Sequence, residues 1–343
     1  MNHGVTILIC AYNGARNLPE TLRHLANQKV SKEINWEVIV IDNGSTDNTS
    51  AVAAEEWAKY EVANAGFKIL EERSPGKNYA FQKGIKSASF GYVLTCDDDN
   101  WLNSNYVEYA FRILESDSSI GALGGLGIIK AEEPVFLKEE ELKKVTVSGS
   151  QSWASTDHWV YGAGSLYRRE ILIELFKNGW QPITSGRTGV NLICGEDVEI
   201  CLMIYLCGFK IIADDTLTFK HFIPSRKQNK RYILNMAFWV NYSNALLNSY
   251  YSIIHRKEKP VKSVVEKLLL ESAISMFKQA LTITYQKVKS LNNLKDEDKI
   301  SFQSTLGTFL AILGNRNKII GHTKHIQQIL AKTRKISQVN GRF

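Results

Sequence analysis

Apolar and polar positions alternate in blocks along the first third of the chain. The run VTILICAY (residues 5–12) is short, apolar and rich in β-branched residues, which predicts a strand; NLPETLRHLANQ follows, with Leu18, Leu22 and Leu25 at helical spacing behind Asn17 as a cap. The alternation repeats. WEVIVID (36–42) reads as strand and NTSAVAAEEWAKY (48–60) as helix, FKILEE (67–72) as strand and NYAFQKGIKSAS (78–89) as helix, and YVLTCD (92–97) as a fourth strand. Such apolar strands are buried on both faces. Joined by helices, they predict an α/β protein with a Rossmann-like, mostly parallel sheet and right-handed crossovers.

Past Gly121 the pattern is mixed. IGALGGLGII (120–129) reads as strand, residues 131–147 are charged and read as a loop or lid, and HWVYGAGSLYRREIL (158–172) runs from strand into helix. Another helix is predicted to start at Glu196-Asp197. Beyond Pro224 the chain reads as helical, with amphipathic segments at 263–285 and 300–314. This divides the sequence into residues 1–225 and a helical appendage, 226–343.

Composition adds constraints. At 343 residues and 44% hydrophobic, the chain can bury a full core and is not of disordered type. No run approaches the roughly 18 apolar residues of a membrane span, and no basic leader precedes the first apolar run, so a cytoplasmic protein is expected. The five cysteines (Cys10, Cys96, Cys194, Cys201, Cys207) show no CxxC spacing and read as reduced core thiols. Charge is uneven: residues 220–343 hold 22 basic and 6 acidic side chains, leaving 20 and 29 for the rest. A basic helical region reads either as a surface for anionic partners or as a solvated face.

In sheets of this type, ligands bind beyond the carboxyl ends of the strands. Ala11-Tyr12-Asn13 end the first strand, Asp42 the second and Asp97-Asp98-Asp99 the fourth. Three adjacent acids in a place with little water require a cation. Carboxylates are hard ligands suited to Mg²⁺ or Mn²⁺, and Mg²⁺ commonly bridges a few of them to substrate phosphates. An acidic strand end is also an ordinary solvated loop.

TILICAYNGARNLPETL, VIVIDNGSTDNT, GKNYAFQKGIKSASFGYVLTCDDDNWL and GEDVEICLMIYLCGF occur in the order and spacing of the family 2 glycosyltransferases of GT-A fold. Over residues 5–224 the chain resembles that family, of the type that builds bacterial cell-surface glycans. The resemblance implies transfer of a sugar, with inversion, from a nucleotide donor to a saccharide or lipid-linked saccharide. UDP is the favoured nucleotide, and GDP and dTDP are used within the family. It maps the nucleotide pocket onto Ala11, Tyr12, Asn13 and Asp42, with Lys77 reaching a phosphate and Asn78 the base or ribose. Asp97 would bind the ribose, Asp98 takes the variable place, and Asp99 and His221 would hold the metal. Asp197 would be the base that deprotonates the acceptor hydroxyl, with Glu196 as supporting partner or runner-up.

Simpler roles stand beside these. Lys77 is also an exposed helix-start lysine, Glu196-Asp197 is also capping chemistry, and a lone histidine is often structural. Trp101, Trp153, Trp159 and Trp180 are candidate sugar platforms or core residues. Ser185–Gly189 reads as a mobile loop whose Arg187 meets diphosphate or acceptor. His322 and His325 have metal-like spacing but are expected on a solvated helix face.

Two other classes compete: a metal-dependent sugar nucleotidyltransferase, and a non-catalytic glycan or nucleic-acid binder. No GxGxxG follows the first strand and no P-loop is present, and no nucleic-acid partner is expected. For the basic helices the sequence leaves open peripheral contact with anionic lipid at the cytoplasmic face of the inner membrane, bracing of the catalytic region, or a homodimer contact.

Overall fold

The computed structural model describes residues 2–62, 64–186, 192–255, 260–290 and 295–339. The first third follows the predicted order: β1 (Asn2–Ala11), α1 (Leu18–Ala26), β2 (Asn35–Asp42), α2 (Thr49–Trp57), β3 (Ala65–Glu71), α3 (Lys77–Ser87) and β4 (Phe90–Thr95). The middle holds β5 (Asn100–Leu102), α4 (Tyr106–Ser116), β6 (Ile120–Ala131), short helices α5 (Glu139–Leu142) and α6 (Ala154–Asp157), β7 (Leu166–Arg168), α7 (Arg169–Lys177), α8 (Glu196–Leu206) and β8 (Lys210–Ile223). Helices α9 (Lys230–Leu246), α10 (Asn248–Ile254), α11 (Val261–Ser290) and α12 (Asp296–Val339) complete the chain. Helical geometry within α12 breaks at Asn315.

The eight strands form one mixed, mostly parallel sheet in the order β3-β2-β1-β4-β7-β6-β8-β5. Parallel registers pair Ala11 with Asp42 and Leu8 with Thr95, so β1 and β2 end level, and β4 ends three residues earlier at the same edge of the sheet. The other half was less legible in sequence: β7 and β5 run antiparallel to their neighbours. Pairing of β5 with β8 sets Asn100 against His221 and thereby carries Asp99 to that histidine.

Alternation along the strands divides the core between the two sheet faces. Ile7, Ile9, Val38 and Val40 pack with Leu18 and Leu22 of α1, Trp57 of α2 and Leu114 of α4. Leu8, Ile39 and Ile41 pack with Phe81 of α3, Leu172 of α7 and Ile200 of α8. Leu246, Tyr250, Ile312, Ile319 and Ile326 belong to that second cluster, so the C-terminal helices share the core of the sheet region. The charged stretch 131–147 is anchored: Leu137, Leu142 and Val145 are buried with Ile223, Ile233 and Met236.

His322 and His325 differ from the solvated pair expected. His322 packs on Tyr250, its Nε2 bonds the Gln181 carbonyl (2.9 Å) and its Nδ1 meets Ser249 Oγ (3.0 Å). His325 Nε2 bonds the Gly179 carbonyl (3.0 Å). These rings fasten α12 to the loop after α7, and burial pushes His322 down to about 4. Cys10, Cys96 and Cys201 are free thiols.

Candidate active site

The loops at the carboxyl edge are tied to one another before any ligand is considered. Asn13 adopts a left-handed backbone (φ 53°), its N–H donates to Ser45 Oγ (2.9 Å) and its Oδ1 accepts from the Thr46 amide (2.8 Å). Asp42, nearly buried, accepts from the Ser45 amide (2.9 Å) and Ser50 hydroxyl (2.6 Å). Burial pushes its carboxyl up, but these donors outweigh it and the net shift is downward. Ala11 lies in the core with its carbonyl taken by the Asn43 amide, whereas Tyr12 stands exposed at the crevice edge.

The three aspartates after β4 face different ways. Asp97 Oδ1 accepts from Lys77 Nζ (2.8 Å), at the start of α3, and the same ammonium lies 3.3 Å from Glu196 Oε1. Burial raises the Asp97 carboxyl, yet Lys77 overcomes this and holds it below its ordinary range. Asp98 turns back on α1, where Asn17 Nδ2 donates to it (3.3 Å). Burial together with Asp99 and Asp97 pushes Asp98 up to about 7. Asp99 is almost wholly buried, with His221 Nε2 at 3.7 Å from Oδ1 and Lys227 Nζ at 3.2 Å from Oδ2. Burial opposes its ionisation, but His221 and Lys227 hold it well below the usual carboxylate range.

Lys227 was missed in the sequence, where it is one lysine of a basic run. Its neighbourhood arises only when the turn after β8 folds beside β5. His221 is oriented from the far side: the Val147 amide donates to Nδ1 (3.1 Å), close to Thr146 Oγ1 (3.0 Å). A neutral ring accepting at Nδ1 carries its proton on Nε2, toward Asp99.

Asp197 opens α8 beside this cluster, half-buried. Its Oδ2 accepts from the Gly162 amide (2.7 Å) and its Oδ1 from the Val198 amide (2.9 Å). Burial, then the charge of Glu196, push it up to about 6. Gly162 is there because space is short: a Cβ would lie 3.0 Å from that of Asp197. Glu196 Oε2 is buried with no hydrogen-bond partner among the described residues, and so is Trp153 Nε1.

The tryptophans separate into three settings. Trp153, Trp159 and Tyr161 form one cluster with ring centroids 5.3–5.6 Å apart, leading directly to Gly162. Trp101 is stacked between His24 and Phe222. Trp180 is fully buried, donating to the Tyr250 hydroxyl (3.0 Å), which makes it a core residue. Glu199, also unanticipated, accepts from Tyr250 OH (2.7 Å) and Thr184 Oγ1 (2.6 Å), while the Thr184 carbonyl takes Asn78 Nδ2 (2.6 Å). A chain of bonds thus runs from α10 to the residue beside Lys77. Arg187 lies outside the described residues.

Asp99 and His221 suit a divalent cation in ligand chemistry, one hard oxygen from the turn before β5 and one imidazole from β8. No cluster of three or more His, Cys, Asp or Glu able to hold a metal occurs among the described residues. Asp99 and His221 alone would leave most of the coordination sphere to water and substrate phosphate, as is usual for Mg²⁺. Fit requires two changes: Lys227 must leave Asp99, and the His221 proton must pass to Nδ1, where the Val147 carbonyl lies 3.4 Å away.

The sheet and its acidic edge define a GT-A fold. A mannosyltransferase from Pyrobaculum calidifontis, solved with GDP-Man and Mn²⁺, superposes with a TM-score of 0.55 at 18% identity, covering 92% of this chain and 87% of that one. Residues 6–176 match Glycosyl transferase family 2, so the chain carries a glycosyltransferase domain of that family. It is 25% identical over 212 residues to poly-beta-1,6-N-acetyl-D-glucosamine synthase of Staphylococcus aureus (strain COL), which covers 61% of this chain and 47% of the relative. The synthase of that name from Staphylococcus epidermidis is 24% identical over 213 residues, with the same coverages. The chain thus spans about half the length of these curated relatives. No helix among the described residues is long and apolar enough to cross a membrane.

Proposed function

We propose that this chain transfers a hexosyl or N-acetylhexosaminyl group from a UDP-linked donor to a saccharide or lipid-linked saccharide, with inversion, in a divalent-metal-dependent reaction at the cytoplasmic face of a bacterial membrane. The N-acetylhexosamine rests on the names of the curated relatives. The observation that carries the chemistry is Asp197, a carboxylate raised to about 6 and aimed by two backbone amides, one residue from the Glu196–Lys77–Asp97 ion cluster.

Asp197 takes the proton of the acceptor hydroxyl as its oxygen bonds to the anomeric carbon and the bond from that carbon to the diphosphate oxygen breaks. A carboxyl that titrates near neutrality is matched to this task. The Gly162 and Val198 amides hold its orientation, and the Trp153–Trp159–Tyr161 cluster offers a wall for a sugar face. Orphaned Trp153 Nε1 and Glu196 Oε2 are polar atoms that a bound hydroxyl can satisfy. Lys77, freed in part from Asp97, reaches a phosphate; Asp97 accepts from the ribose, Asp42 from the base edge, and Tyr12, Asn13 and Asn78 line the nucleotide. Asp99 and His221 would hold Mg²⁺ or Mn²⁺, which when bound neutralises charge gathering on the departing diphosphate.

The test is a radiolabelled transfer assay with UDP-N-acetylglucosamine and Mn²⁺, run beside a nucleotide-binding titration. Asp197→Asn should lose transfer by at least a thousandfold while binding UDP as the parent does; transfer surviving in that variant removes the assignment. Release of inorganic diphosphate when UTP and N-acetylglucosamine 1-phosphate are supplied in place of UDP-N-acetylglucosamine would identify a nucleotidyltransferase.

A further inference from the structure

Helix α11 carries two different faces. Its inner face is engaged: Val265 and Ser272 are buried, and Gln279 Nε2 donates to Ser301 Oγ (3.2 Å) and Thr305 Oγ1 (2.8 Å) of α12. Its outer face presents Leu270, Ile274, Phe277 and Leu281 to solvent, with Leu270 and Phe277 each more than 60% exposed. Steps of four, three and four residues give the narrow apolar seam of a coiled coil, not the broad apolar face of a helix lying on lipid.

The flanks of the seam identify its partner. Glu266, Lys267, Glu271 and Lys278 border it, all exposed, and both signs are present. A helix that meets anionic lipid gains from lysine and arginine and loses from glutamate. In an antiparallel pairing of two copies, Ile274 meets Phe277 of the partner subunit and Leu270 meets Leu281 of the partner subunit. Glu271 then lies beside Lys278 of the partner subunit, and by the twofold axis this opposite-charge pair occurs twice.

We propose that α11 is a homodimer seam, paired antiparallel with the α11 of a second copy through Leu270, Ile274, Phe277 and Leu281.

Sedimentation equilibrium of the full chain at tens of micromolar tests this. The parent should sediment at the mass of two chains and Phe277→Glu at the mass of one, with UDP binding unchanged to report an intact fold. Glu271→Lys and Lys278→Glu should each weaken dimerisation about tenfold, and the double reversal should restore it. A parent that is monomeric throughout the range overturns the proposal, as does a double variant no tighter than the singles. Flotation with phosphatidylglycerol vesicles serves as the second arm: a monomer bound to vesicles through Phe277 would make the stripe a lipid-contact face.

Discussion

Replacing Lys227 with methionine removes an ammonium from Asp99 while keeping most of the side-chain volume. Lys227 Nζ lies 3.2 Å from Asp99 Oδ2, with only 18% and 8% of the two side chains exposed. At an effective dielectric constant near 20, two charges at that separation attract by about 5 kcal/mol before the cost of desolvating them is subtracted. Desolvation removes most of this, leaving about 1–2 kcal/mol that an incoming cation must overcome to displace the lysine. Lys227→Met should therefore bind Mn²⁺ about tenfold more tightly than the parent in the absence of nucleotide, as read by calorimetric titration. Its metal-free thermal stability should fall, because the buried Asp99 carboxylate then loses its ammonium partner. Unchanged or weaker Mn²⁺ binding would refute the view that Lys227 stands at Asp99 in place of a metal.

Three further outcomes follow from the same geometry. Asp197 acts only when ionised and titrates near 6 in the free protein, so kcat/KM should be level above pH 7 and fall tenfold per pH unit below about 6; a flat profile to pH 4.5 would exclude it as the base. Gly162→Ala should lower turnover at least tenfold with little loss of thermal stability, because the added Cβ, 3.0 Å from that of Asp197, displaces the carboxylate it should hold; unaltered kcat would show that this contact is slack. Tyr250→Phe leaves Glu199 without one of its buried donors and should cost about 1–3 kcal/mol in urea unfolding; a neutral result would show that α10 does not brace the sheet through Glu199.

Several features were legible in the sequence for a plain physical reason. Apolar β-branched runs separated by helical spacings specify β1 to β4 and the helices between them, and a parallel sheet requires its loops at the carboxyl edge. Asp42, Asp97 and Asn13 were placed there by that rule, and the structure has them there. Other elements escaped notice. The three-residue strand β5 is too short to show a period, and α4 went unread although Tyr106, Val107, Ala110 and Leu114 give it one buried face. The histidines of α12 look solvated in a basic segment, yet their partners Gln181 and Gly179 arrive from a loop distant in the chain.

Sequence by itself determined the kinds of chemistry available: a run of three acids at a strand end, a Glu-Asp pair opening a helix, and a histidine at position 221. It could not say which way each acid would face. That was decided where β5 pairs with β8 and the first residues of α3 and α8 meet, setting Asp97 on Lys77, Asp98 on Asn17, and Asp99 between His221 and Lys227. Local sequence sets the backbone's preferences residue by residue, but a carboxylate's charge state depends on cations and buried surface within a few ångströms. In this chain those neighbours are supplied by residues far apart in sequence, and only the packed sheet brings them together.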